Sequence, residues 1–213
     1  MNNETLRLRL IETAIAMNRA GVNQGASGNL SARCEGGMLI TPSGMDYAGL
    51  EPRDIVFIDA SGQPQGHRRP SSEWRIHQDI YTARADAAAI LHAHPRACTA
   101  LACLNKPIPA FHYMVAVAGG RDIPCAPYAT FGSQELSDGV VEALDGRKAC
   151  LMANHGMVCL AENLDKALAL AIEIETLART YLHALSVGEP VILDNAEMDR
   201  VLLKFKTYGV QDA

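Results

Sequence analysis

Ala87-Ala88-Ala89-Ile90-Leu91-His92-Ala93-His94-Pro95 decides how the rest of the chain is read. Ala87 to His94 is a compact apolar run of strand length. Pro95 ends it and can stand in the first turn of a helix reaching Leu104. Because side chains alternate along a strand, His92 and His94 leave the same face, and two imidazoles so placed can reach one metal ion. A third imidazole from a distant turn such as Asn154-His155-Gly156 would close a facial set with a position open for substrate. The same spacing also suits two half-buried histidines on a sheet edge and a turn histidine bonded to backbone. Spacing alone leaves both readings open.

Upstream, Leu6, Leu10, Ile11, Ala14, Ile15 and Met17 recur at helical spacing before Gly21 and predict an amphipathic helix with a glycine stop. Gly21 to Ser31 is small and polar and reads as a loop. Met38 to Thr41 and Ile55 to Asp59 read as strands, the second ending at the turn Ala60-Ser61-Gly62. Pro70 and Ser71 introduce a helix from Ser72 to Ala85, with Trp74, His77, Ile80 and Tyr81 at helical spacing. Downstream, Ala149 to Ala153 and Met157 to Leu160 are strand-like runs around the turn at His155, and Leu164 to Leu185 is the longest periodic helix. Helices around short strands that are mostly sequence neighbours predict an α/β fold, a three-layer α/β/α sandwich on a largely antiparallel sheet. No composition shift or repeat divides the chain, so residues 1–213 are expected to form one domain.

Composition narrows the function classes. The 213 residues are 48% hydrophobic, enough for a sizeable core, and a formal charge of −5 leaves no basic surplus for a nucleic-acid backbone. No apolar run approaches the roughly 18 to 20 residues that span a bilayer. Met1-Asn2-Asn3-Glu4 lacks the basic and apolar regions of a secretion signal, so a cytoplasmic protein is expected, without nucleic-acid or membrane partners. Cys34, Cys98, Cys103, Cys125, Cys150 and Cys159 form no C-x-x-C pair and are expected to be reduced and mostly buried. His67, His77 and His183 are expected to be surface or satisfied core residues with no metal role.

Glu73 falls at the start of a predicted helix, where a carboxylate opposes the positive end of the dipole. Beside a metal-bound carbonyl compound the same group can remove a proton from the adjacent carbon. Ser71 and Ser72 are either caps or, with free backbone N–H groups, an anion site. Ser27-Gly28-Asn29 and Thr41-Pro42-Ser43-Gly44 offer hydroxyl, amide and glycine backbone groups that suit a phosphate without a lysine. Each alone is only a turn, and their combination carries the case.

Taken in order, Asn23-Gln24-Gly25-Ala26-Ser27-Gly28-Asn29-Leu30-Ser31, Leu39 to Gly44, Pro70-Ser71-Ser72-Glu73-Trp74-Arg75, His92-Ala93-His94 and Asn154-His155-Gly156 resemble the class II aldolases of the fuculose phosphate type. The resemblance runs nearly end to end, through Ile108 to Tyr113, Ile123 to Gly132 and Lys204 to Gly209. It implies a zinc aldolase with an α/β/α sandwich, assembled as a homotetramer with active sites between neighbouring subunits. His92, His94 and His155 would bind Zn2+, and Glu73 would be the general acid/base. Gly28, Asn29, Ser43, Gly44, Ser71 and Ser72 would hold the phosphate of dihydroxyacetone phosphate. Tyr113 of a neighbouring subunit would donate a proton on the aldehyde side, with Phe131 and Tyr208 shaping that pocket. Zinc would polarise the ketone, so no Schiff-base lysine is required.

Where that pattern has polar residues and a histidine around the ligands, this chain has Ala93, Pro95 and Asn154. The more apolar surroundings favour 5-deoxyribulose 1-phosphate or 5-methylthioribulose 1-phosphate over L-fuculose 1-phosphate as the ketose cleaved to dihydroxyacetone phosphate and a short aldehyde. Related chemistries are a methylthioribulose-1-phosphate dehydratase and a pentulose-phosphate 4-epimerase. For the latter an Asp is expected in place of Glu73, and a further histidine where Pro95-Arg96-Ala97-Cys98 stands. A non-enzymatic alternative is an interaction domain like the adducin head, which lacks the metal histidines.

Overall fold

In the computed structural model, which describes residues 3–207, one eight-stranded sheet lies between two layers of helices. In chain order the elements are α1 (Asn3–Arg19), β1 (Asn29–Cys34), β2 (Gly37–Ile40), β3 (Val56–Asp59), β4 (Pro64–Gln65), α2 (Trp74–Ala83), β5 (Ala89–Ala93) and α3 (Arg96–Cys103). They continue with β6 (Cys125–Ala126), α4 (Gln134–Ala143), β7 (Ala149–Met152), β8 (Gly156–Ala161), α5 (Leu164–Val187) and α6 (Asn195–Phe205). The strand order is β4-β3-β2-β1-β5-β8-β7-β6, and every pair is antiparallel except β6 with β7. The architecture is the expected α/β/α sandwich on a largely antiparallel sheet.

Strand β5 shows why this sheet must be covered twice. All five of its residues are buried, with Ala89, Leu91 and Ala93 packing into one apolar cluster and Ile90 into the other. A strand with no polar face is stable only between two layers. The first cluster takes Leu10 and Met17 of α1, Cys98 and Leu101 of α3 and Ile174 of α5; the second takes Ile76 and Ile80 of α2 and Leu136 and Val140 of α4. His92 lies two residues from Ile90 and so projects into the layer that contains α2.

Several boundaries differ from those expected. Strand β1 begins at Asn29, inside the stretch read as loop, because Asn29 and Ser31 pair opposite His92 and Ile90 of β5 and turn polar side chains toward α2. Helix α2 starts at Trp74 rather than Ser72. Ser71 N–H is held by Thr41 O at 3.1 Å and Pro42 bridges Pro70, so the chain is still extended at that point. Helices α4 and α6 and the short strands β4 and β6 escaped the apolar pattern altogether. All six cysteines are free, but only Cys98, Cys150 and Cys159 are buried; Cys34 and Cys125 are half-buried and Cys103 is exposed.

Pro95 does not sit within the first turn of α3 but precedes it as N-cap, with no side chain to cap the helix. Glu175 of α5 takes over that task. Its buried carboxylate accepts from Ala97 N–H at 3.0 and 3.2 Å and from Cys98 N–H at 3.0 Å, satisfying the free donors of α3 and opposing the helix dipole. This fixes the direction in which the chain leaves His94. Glu175→Ala strands two buried N–H groups and is expected to cost about 2 to 3 kcal/mol, measured as a drop in the urea unfolding midpoint. A loss below about 0.5 kcal/mol would mean that water caps the helix instead.

Candidate metal centre

Three elements bring the histidines together. His92 is the penultimate residue of β5, His94 lies just beyond its end, and His155 sits in the turn between β7 and β8, where Asn154 adopts a left-handed φ of 54°. The β5–β8 register sets His92 opposite Val158 and Ala93 opposite Met157, which places the His155 turn beside the end of β5. Close packing there leaves no room for larger residues. A Cβ on Gly156 would lie 2.5 Å from Ala93 O and 2.7 Å from His94 Cδ2, and one on Gly28 would lie 2.5 Å from His92 O.

One ring nitrogen from each of His92, His94 and His155 lies within 4.8 Å of the others, a group that can hold a metal ion. His92 Nδ1–H donates to Met157 O at 2.9 Å, so Nε2 is the nitrogen turned to the centre, 3.0 Å from His94 Nε2. Burial first, then the neighbouring His92 charge, pushes His94 down to about 4 and moves His155 down as well. Both therefore favour the neutral form that ligates. Burial also opposes charge on His92, but the Glu73 carboxylate at 3.0 Å outweighs it and raises that imidazole. Convergent imidazoles, two of them held toward the neutral form and all facing one anionic group, are a donor set suited to a divalent cation with a position left for substrate.

Glu73 is the carboxylate in question. It occupies the N-cap position of α2 with only 5% of its surface exposed, and its side chain caps nothing. Burial works to raise this carboxyl, but His92, His155 and the Asn29 amide together hold it well below the usual range. Its oxygens differ. Oε2 accepts from Asn29 Nδ2–H at 3.0 Å, whereas Oε1 lies 3.2 Å from His155 Nε2 and, though buried, has no hydrogen-bond partner.

A cleft of about 350 Å³ opens above these groups, lined by Ser27, Ser72, Glu73, His94, Tyr128, Ala129, Phe131, Asn154 and His155. The structure thus brings Ser72 and Phe131 to the histidines and Glu73. Gly28 and Asn29 lie beneath them, buried. Ser43 and Gly44 are exposed and tied to the serine turn, since Ser43 N–H donates to Arg69 O at 3.1 Å and Pro42 bridges Pro70. Ser71 is buried, its Oγ accepting from Glu73 N–H at 3.3 Å. Tyr113 is 51% exposed on a short 3-10 helix and does not line this cleft of its own chain. Tyr208 lies outside the described residues.

Ser27, of the loop expected to suit a phosphate, lies on the cleft wall, where Tyr128 was not expected as a site residue; His77 is the satisfied core histidine expected, but its partners were not foreseen. That residue is fully buried in α2, with Nε2 2.5 Å from Asn29 Oδ1 and Nδ1 2.6 Å from Ser31 Oγ, which in turn lies 2.9 Å from the Tyr81 hydroxyl. The available signal was the spacing of Glu73, His77 and Tyr81 along one helix stripe facing Asn29 and Ser31 on one strand face.

The site is a cluster that could hold a metal ion beside a buried carboxylate, and the comparisons give the class and the family. Residues 8–182 match the family described as the Class II Aldolase and Adducin N-terminal domain. A 5-methylthioribulose-1-phosphate/5-deoxyribulose-1-phosphate aldolase of Rhodospirillum rubrum is 54% identical over 204 residues, covering 96% of this chain and 92% of that protein. An L-fuculose phosphate aldolase of Escherichia coli is 50% identical over 212 residues, with 99% of each chain covered. Among solved structures, an L-fuculose 1-phosphate aldolase superposes with a TM-score of 0.93 at 42% identity, covering 97% of this chain and 98% of that one. The chain belongs to this family and is a class II aldolase. Among the described residues no helix is long and apolar enough to cross a membrane.

His77 gives the centre a pH limit. Burial, then the His92 charge, push it from 6.5 to about 3, so between those values the unfolded chain binds a proton that the folded chain does not. Stability is therefore lost as pH falls through that window, by up to about 1.4 kcal/mol per pH unit for this group. In urea unfolding at pH 7, 6 and 5, the advantage of the wild type over His77→Gln is expected to shrink on acidification. An advantage that stays constant would mean that His77 titrates normally.

Proposed function

We propose that this chain reversibly cleaves a deoxyketose 1-phosphate to dihydroxyacetone phosphate and a short aldehyde, with Zn2+ held by His92, His94 and His155. The single observation that carries the reading is the juxtaposition of those imidazoles with a buried carboxylate whose Oε1 has no hydrogen bond. When bound, zinc supplies Lewis acidity that draws electron density from the ketone and makes the adjacent carbon acidic. The chain spans 1–213 as one domain of this family, in the cytoplasm.

The phosphate is taken by backbone and hydroxyl groups of Gly28, Asn29, Ser43, Gly44, Ser71 and Ser72. Three segments tied together at Thr41, Pro42 and Pro70 make a small, lysine-free cradle at the start of α2, where N–H groups and the helix dipole favour an anion. That fixes the C1 end of the substrate. In the cleavage direction the C4 hydroxyl gives its proton to the Tyr113 oxygen that donates it in condensation, the C3–C4 bond breaks, and C4 becomes the aldehyde carbonyl. Glu73, carrying a proton taken up from solvent, delivers it from Oε1 to C3, and Tyr113 returns one to solvent, so the turnover balances; in condensation the same Glu73 oxygen takes the C3 proton back. Oε2 stays engaged by Asn29, so the carboxylate keeps one orientation through both half-reactions.

Phe131 forms an apolar wall of the cleft, and Tyr113 and Tyr208 complete the aldehyde side. Tyr113 is exposed and away from the cleft of its own chain, which supports a homotetramer in which a neighbour contributes it as proton donor. Ala93 packs into the opposite apolar layer and Pro95 does not line the cleft, so the apolar lining comes from Ala129 and Phe131; with the Rhodospirillum relative's substrates, it favours 5-deoxyribulose 1-phosphate and 5-methylthioribulose 1-phosphate over L-fuculose 1-phosphate.

Glu73→Gln is expected to lower turnover by about 100-fold to 10,000-fold while zinc stays near one per chain by atomic absorption. Loss of zinc in that variant would make Glu73 mainly structural. The zinc-loaded protein should condense dihydroxyacetone phosphate with acetaldehyde and methylthioacetaldehyde, lactaldehyde ranking below them by about 10-fold to 200-fold in kcat/KM, and a chelator should abolish all three reactions. No condensation with any aldehyde despite bound zinc would transfer the site to dehydration or epimerisation, and lactaldehyde ranking first would assign it to fuculose phosphate.

A further inference from the structure

We propose that His77 is a positioning residue for the reaction: through Asn29 it holds the Glu73 carboxylate so that Oε1 alone is free to exchange protons. The inference rests on the reading of Glu73 as acid/base. It follows from the direction in which the buried hydrogen bonds must run. A carboxylate only accepts, so the Asn29 atom 3.0 Å from Glu73 Oε2 is the amide nitrogen. The amide oxygen then faces His77, and since it too only accepts, the hydrogen must be on His77 Nε2, 2.5 Å away. A neutral imidazole carries one ring hydrogen, so Nδ1 accepts from Ser31 Oγ–H at 2.6 Å, and Ser31 accepts from the Tyr81 hydroxyl at 2.9 Å.

The chain therefore has one polarity, from Tyr81 through Ser31, His77 and Asn29 to Glu73, with every side chain in it buried. Without the Nε2–H donor the Asn29 amide can turn over and set its oxygen against the carboxylate, which would expel Glu73 from its present orientation. A histidine serving only as core filling would need no such arrangement. Here Nε2 is spent on the amide that binds the reacting carboxylate, and Nδ1 on Ser31, whose hydroxyl keeps the ring hydrogen on Nε2. Gln is the one replacement that keeps a donor of similar reach, whereas Phe fills the space and keeps none.

The test uses zinc-loaded protein carrying 15N-labelled histidine. Long-range 15N–1H spectra of the wild type should show His77 with its hydrogen on Nε2. His77→Phe should lose about 10-fold to 100-fold in kcat with KM for the ketose phosphate within about twofold and zinc still near one per chain, and His77→Gln should recover most of that loss. A hydrogen on Nδ1 in the wild type would overturn the inference, and this holds even if neither variant folds. So would equal rates for Phe and Gln variants, or a rise in KM with kcat intact, which would place His77 on the phosphate side. Failure of the underlying reading looks different: Glu73→Gln would keep full turnover, whereas failure of this inference leaves Glu73→Gln inactive and His77→Phe unimpaired.

Discussion

Burying the Glu73 carboxylate is the constraint on which the rest of this structure depends. An ionised carboxylate taken out of water is costly unless its oxygens are hydrogen-bonded or paired with charge. Here the compensation comes from His92 and His155 on one side and Asn29 on the other, and each of those needs its own partner in turn. Met157 O fixes His92 and His77 fixes Asn29. The result is a polar seam between β1 and α2 inside an otherwise apolar layer, made of five side chains that satisfy one another. Half-satisfied, such a seam would be worse than an apolar core.

Sheet register is what allows that compensation to exist. Asn29 pairs opposite His92, so both side chains leave the same face of adjacent strands toward α2. The β5–β8 pairing then carries the His155 turn up to the end of β5. A slip of one residue in either pair would send these side chains into the opposite apolar layer. Gly28 and Gly156 protect the arrangement at its tightest points, where backbone approaches to a distance that admits no Cβ. Glu175, from the far helix layer, secures the exit of the chain after His94 by capping α3. The histidine cluster is thus supported from both layers of the sandwich.

Much of this was legible in the sequence, for identifiable reasons. The run ending in His92-Ala93-His94 announced a strand because all its other residues are apolar, and Pro95 marked its end. The long helix from Leu164 was equally plain from its period. Strand β1 was not, because Asn29 and Ser31 spend their side chains on a buried polar seam and so imitate a loop. Helices α4 and α6 carry apolar faces, but short ones, broken by Gly139 or by charged residues such as Asp199 and Arg200. His77 read as an ordinary core histidine, since nothing local says which polar groups a buried imidazole will meet.

The sequence by itself determined the local chemistry: which residues can ligate, which carboxylate stands at a helix start, and which turns are small enough to admit an anion. Period and punctuation follow from backbone sterics and are read over a few residues. Only the tertiary structure decided that Asn29, Glu73, His92 and His155 meet, that one Glu73 oxygen is bonded and the other is not, and that Tyr113 stands away from the cleft of its own chain. Those outcomes depend on strand register and on the packing of α2 against β1, interactions between segments tens of residues apart. No local window contains them, because the energy that fixes them is released only when both segments are buried together.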